Sequence, residues 1–140
     1  MSDSVRHRVV QLGCALPEVI ADESHEPHVA FRVGSKNFAW YVENEHGDCR
    51  VALLARVPPG ENAALVATDG ERFALPKYVA RHGYVSYYLD LPHRPVDWAE
   101  VTELLADSYR LQAPQATRPA AGRSREIDWC ARAAGAILLT

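Results

Sequence analysis

Apolar positions Val5, Val9, Leu12 and Leu16 recur every three or four residues, the period of one helix face, and Pro17 ends the run. Residues 18–27 are acidic, contain Pro27 and read as a loop. The period then falls to two. Val29, Phe31 and Val33 alternate with His28, Ala30 and Arg32, which predicts a half-buried strand. After the turn signal Gly34-Ser35 a second alternating run follows. It sets Phe38, Trp40 and Val42 on one face and Ala39, Tyr41 and Glu43 on the other. Together the two runs read as a β-hairpin. Arg50 to Arg56 is a third strand, reached by a turn at residues 44–48. Short connections make these strands antiparallel neighbours.

Glu61 to Thr68 predicts a short Ala-rich helix, and Phe73 to Leu75 an extended piece before Pro76. Lys77 to His82 predicts a second short helix ended by Gly83. In the fourth strand Val85, Tyr87 and Leu89 alternate with Ser86, Tyr88 and Asp90. Asp97 and Glu100 are spaced as a capping box. Behind them Trp98, Val101, Leu105 and Ser108 share a face of a helix running to about Leu111. The expected fold is α+β: an antiparallel sheet of hairpins packed with N-terminal and C-terminal helices. Residues 1–112 form the domain. Residues 113–140 are a linker followed by a weak Ala- and Arg-rich helix at residues 125–139.

Composition narrows the class. With 140 residues, 48% of them hydrophobic and 24% charged, the chain is one domain with a core of ordinary size. Three cysteines (Cys14, Cys49, Cys130) form no C-x-x-C pair. They read as reduced thiols, two of them in the core. The polar stretch Met1–Arg8 has no apolar run behind it, and no segment approaches a membrane span, so a cytoplasmic chain without a membrane partner is expected. The net charge is −3: residues 1–27 carry −3, residues 28–112 carry −2 and residues 113–140 carry +2. An acidic total argues against non-specific phosphate binding, but the acidity lies at the N-terminus and leaves room for a local basic patch.

Several stretches together resemble one family. They are Phe31-Arg32-Val33-Gly34-Ser35-Lys36-Asn37-Phe38-Ala39-Trp40, Pro59-Gly60-Glu61-Asn62-Ala63-Ala64-Leu65 and Arg72-Phe73-Ala74-Leu75-Pro76-Lys77-Tyr78-Val79. Val85 to Asp90, Asp97-Trp98 and Asp107-Ser108-Tyr109-Arg110-Leu111 follow in order. In this the chain is similar to the MmcQ/YjbR-like family of small bacterial proteins, over about residues 5–115. The resemblance implies a compact α+β domain whose hairpins form wings like those of double-wing DNA-binding domains. It therefore implies nucleic acid as a partner. Two positions depart from it. Pro114 is followed by Gln115 and Ala116 where many relatives carry Lys and Arg. His82-Gly83-Tyr84 stands where many have Lys-Gly-Trp or His-Trp.

The candidate nucleic-acid or anion site is Arg32, Lys36, Lys77, Arg81 and His82, with Trp40 and Tyr78 as stacking groups. Guanidinium and ammonium groups suit phosphate oxygens, and aromatic faces suit bases. A second reading is a protein-interaction module through Tyr84 and Tyr88, which share a strand face, or through the tail after Ala113. A third is binding or turnover of an anionic metabolite. His25-x-x-His28 beside Glu23 and Glu26 lacks a helix to align its ligands, so it reads as a loop pair rather than a metal site. Asp90 and His93 are the nearest approach to a catalytic dyad, in a loop with two prolines. No nucleophile elbow, P-loop or zinc-protease motif is present, so neither catalysis nor a cofactor is expected. A monomer or weak dimer is expected.

Overall fold

A computed structural model describes residues 2–44 and 47–113. The order is α1 (Ser2–Cys14), β1 (Val19–Asp22), β2 (Val29–Val33), β3 (Lys36–Glu43), β4 (Val51–Arg56), α2 (Glu61–Thr68), β5 (Phe73–Ala74), β6 (Tyr84–Tyr88) and α3 (Trp98–Gln112). The strands form one antiparallel sheet ordered β1-β2-β3-β4-β6-β5. The α+β expectation therefore holds. The expected linker and C-terminal helix lie outside the described residues.

One sheet face carries the main core. Val29, Phe31, Val33, Tyr41, Leu53, Ala55, Val85 and Tyr87 are buried there with Val9 and Leu16 of the N-terminal segment and Val101, Leu105 and Tyr109 of α3. The helical spacing read from the sequence thus supplies the stripes that cover this face. Tyr109 joins the layers twice. Its ring meets Phe38 edge-on at 5.7 Å, and its hydroxyl donates to the Pro17 carbonyl at 3.0 Å. Asp97 caps α3 by accepting from the Ala99 and Glu100 amides. The reciprocal half of the capping box is absent. The Asp97 amide donates to the Tyr87 hydroxyl instead.

Four expectations need correction. Residues 18–27 contain strand β1, paired with β2 from Val19↔Val33 to Asp22↔Ala30. Four residues are too few for a periodic signal, and the neighbouring ladder supplies what local pattern lacks. Phe38 does not share a face with Trp40. Phe31 pairs with Ala39 and Arg32 with Asn37, so Phe38 is the extra residue of a β-bulge and turns into the main core beside Ala39. Lys77 to His82 is not one helix. Only Ala80–His82 makes a 3-10 turn, because Tyr78 takes a left-handed φ of 68° that no right-handed helix contains. Finally, Cys14 and Cys49 are both exposed. The first lies on the outward side of the last turn of α1, the second in the loop before β4, so at most one thiol of the three is in the core.

Candidate functional site

The opposite sheet face has a different cover. Register places Ala30, Trp40, Leu54, Ser86 and Ala74 in one row across β2, β3, β4, β6 and β5. Val42, Ala52 and Tyr88 form the next row, and Arg56 and Tyr84 pair on the other side. Val42, Ala52 and Leu54 are buried there, packed by Trp40, Val79, Tyr84 and Tyr88. Among the described residues, no α-helix contributes to this second cluster. Its small central residues are shielded by large half-buried aromatic groups, with Val79 closing one side from the turn at 76–82.

That turn is built tightly. The Val79 amide donates to the Lys77 carbonyl at 2.7 Å around Tyr78 at φ 68°, a positive-φ γ-turn, which is a rare and strained form. Asn62, in the first turn of α2, donates from Nδ2 to the carbonyls of Ala80 and Tyr84 at 3.0 and 3.1 Å and fixes the turn against β6. Tyr78 is 72% exposed.

The structure brings part of the predicted set together. Trp40 and the turn bearing Lys77, Tyr78, Arg81 and His82 meet at the second face through Val79. Lys36 opens β3 at the hairpin end and is exposed, but it pairs with Val33 of the main core and so stands on the other side of the sheet. The Tyr84 hydroxyl spans from β6 to this end, donating to the Asn37 carbonyl at 3.4 Å, while Gln112 Nε2 reaches the same carbonyl at 3.2 Å. Arg32 is on this face but committed. It pairs with Asp22 at 2.8 Å and donates from Nε to Asn37 at 3.2 Å. Hydrogen bonds from Ser24, then from Arg32, hold the Asp22 carboxyl well below its usual range. Arg81 Nε donates to His82 Nε2 at 3.4 Å.

Sequence reading missed two members. Arg56, half-buried on β4, pairs in register with Tyr84, and its guanidinium stem packs beside Gly83 at the end of the 3-10 turn. Burial pushes the Tyr84 phenol up, and the Arg56 charge offsets part of that. Arg50 lies 3.7 Å over the Tyr88 ring and donates from Nε and Nη2 to Asp90. Arg56 looks like a strand end in the sequence, and only its position on the face reveals it. Lys36, Arg56, Lys77 and Arg81 pair with no carboxylate among the described residues.

The remaining candidates fall apart geometrically. His28 Nδ1 accepts from the Glu43 amide at 3.3 Å, whereas His25 Nδ1 meets the Ser24 hydroxyl at 3.1 Å. The two rings thus serve separate partners. Asp90 is taken by Arg50 and by the Val51 amide at 2.9 Å, so both of its oxygens are engaged elsewhere than at His93. Among the described residues no group of three metal-ligating side chains occurs, and no helix is long and apolar enough to cross a membrane.

Comparison with known proteins gives three findings. The crystal structure of Deinococcus radiodurans protein DR2400, with family-model domain DUF419, is 20% identical and superposes with a TM-score of 0.59. The alignment covers 89% of this chain and 86% of that one, a likeness of fold. No curated protein matches the chain. A YjbR family model matches residues 14–111, from the end of α1 almost to the end of α3. With the match spanning the whole sheet and nearly all of α3, this chain belongs to the YjbR family.

Proposed function

We propose that this protein is a nucleic-acid-binding module that works through the second sheet face and the turn at 76–82. One observation carries the reading. Trp40, Tyr84 and Tyr88 lie on a face that no described α-helix covers, bordered by Arg56, Lys77 and Arg81, none of them neutralised by a described carboxylate. Cations without a described carboxylate partner, set beside aromatic groups, match a polyanion whose bases present flat faces. The acidic total charge does not oppose this, because Asp22 and Asp90, which flank the strands of this face, are already held by Arg32 and Arg50.

The test is a titration of a labelled oligonucleotide with the full chain at several salt concentrations. Each phosphate neutralised adds a slope of roughly 0.7 to 0.9 to the log–log salt plot. The double variant Lys77→Glu/Arg81→Glu is expected to lose affinity at least about ten-fold and to lower the slope by about 2. Both residues are exposed, so the fold persists. A partner held by apolar contact instead would leave the variant and the parent indistinguishable, and the proposal would fail.

A further inference from the structure

Tyr78 is an exposed aromatic ring on a strained backbone. A tyrosine at positive φ is rare, and a side chain with a Cβ gains nothing from that conformation. Strain of this kind persists only where the surrounding structure enforces it. Here the enforcement is visible: Pro76 accepts from the Ala80 amide, Lys77 accepts from Val79, and Asn62 clamps Ala80 from α2. The turn therefore holds Tyr78 outward. Leu75, three residues earlier, is also exposed, and Lys77 and Arg81 flank the ring in sequence.

We infer that the ligand of this face is a single strand, with Tyr78 stacking on an unpaired base while Lys77, Arg81 and Arg56 take the backbone phosphates. The inference rests on the nucleic-acid reading above and specifies it. A duplex hides its base faces within its own stack and offers only grooves and phosphates, so a protruding aromatic ring has no base plane to meet. Unpaired bases are splayed out and stack on aromatic side chains, and a sheet face bearing aromatic residues is a platform of that type. Among the described residues, no α-helix projects from this face to enter a major groove. A sheet face bearing aromatic groups, with the exposed Tyr78 ring in the turn beside it, suits unpaired bases better than a stacked duplex.

The experiment compares a fluorescently labelled single strand with the same sequence as a duplex, binding the parent chain, Tyr78→Gly and Tyr78→Phe. The single strand is expected to bind at least about ten-fold more tightly than the duplex. Tyr78→Gly is expected to lose about five- to ten-fold in single-strand affinity, while its melting temperature stays level or rises because glycine accepts the positive φ. Tyr78→Phe keeps the ring and is expected to bind like the parent. Equal or tighter binding of the duplex, or unchanged affinity in Tyr78→Gly, overturns the single-strand inference but leaves nucleic-acid binding standing. Binding of neither form overturns both.

Discussion

At Gly13, in the last turn of α1, an added Cβ would sit 2.6 Å from the Phe31 ring. Alanine is normally the better helix residue by about 1 kcal/mol. Here that preference loses, because Phe31 is fully buried, lies tilted against Phe38 at 6.4 Å and has nowhere to move. Overpacking of this kind costs about 1–3 kcal/mol, so Gly13→Ala is expected to destabilise the chain by about 1–2 kcal/mol in urea unfolding. A stabilised variant would show that α1 can lift off the sheet. The sequence gives no hint of the contact, since a glycine inside an apolar helical run looks only like a weak helix former. Phe38 is a similar case. Alternation assigns it to the side of Trp40, and only the pairing with β2 discloses the bulge. Tyr78 was legible as a residue beside cations, but not as a strained one.

Among the elements, the two long helices and strands β2, β3, β4 and β6 were legible, because each carries enough residues to show its period. Strand β1 was not, and β5 was legible only as an extended piece before Pro76. At four and two residues they exist through the ladders of their neighbours. The β5 region also contains an ion that the pattern conceals. Arg72 is 3% exposed, and its guanidinium has no carboxylate partner among the described residues. Its guanidinium donates to the carbonyls of Tyr88 (2.8 Å) and Pro95 (2.7 Å) and lies 4.8 Å over the Tyr87 ring. It thereby ties β5 and β6 to the proline-containing loop that leads into α3. Arg94 reinforces the same loop through Asp69 and Glu71, and its hydrogen bonds draw the Asp69 carboxyl down to about 2. Arg72→Met would leave these carbonyls buried without donors, at a cost of about 2–4 kcal/mol. Arg72→Lys is expected to recover only part of this, since an ammonium cannot reproduce the planar fork. Equal stability of the Met variant and the parent, measured by chemical unfolding, would remove Arg72 from this role.

For the whole molecule, two-sided burial is the main difference from what alternation suggested. β2 and β4 bury residues on both faces, on the second face beneath the sheet's own aromatic side chains and Val79 rather than beneath a described helix. The main-core side also has an alkaline limit. Burial pushes the Tyr87 and Tyr109 phenols up to about 12 from an ordinary value of 10.0. A raised phenol favours the neutral folded form. Its contribution is complete below pH 10 and is lost as pH rises towards 12. Stability should therefore fall steeply above about pH 10, and the double variant Tyr87→Phe/Tyr109→Phe should flatten that limb. At neutral pH the variant should lose about 1 kcal/mol for each hydroxyl hydrogen bond removed. Urea melts from neutral pH to about pH 11 decide it, and an unchanged alkaline limb would point to other groups. Of the binding face, the residue types were legible, but their gathering was not. Trp40 and the turn at 76–82 are far apart in the chain and meet only because β4 and β6 lie next to each other.

The sheet order has one more consequence. Its two margins are the four-residue β1 and the two-residue β5. Short margins present little unpaired backbone on which another chain's strand could grow. The molecule is thus guarded against fibrous, margin-to-margin aggregation without needing a closed barrel.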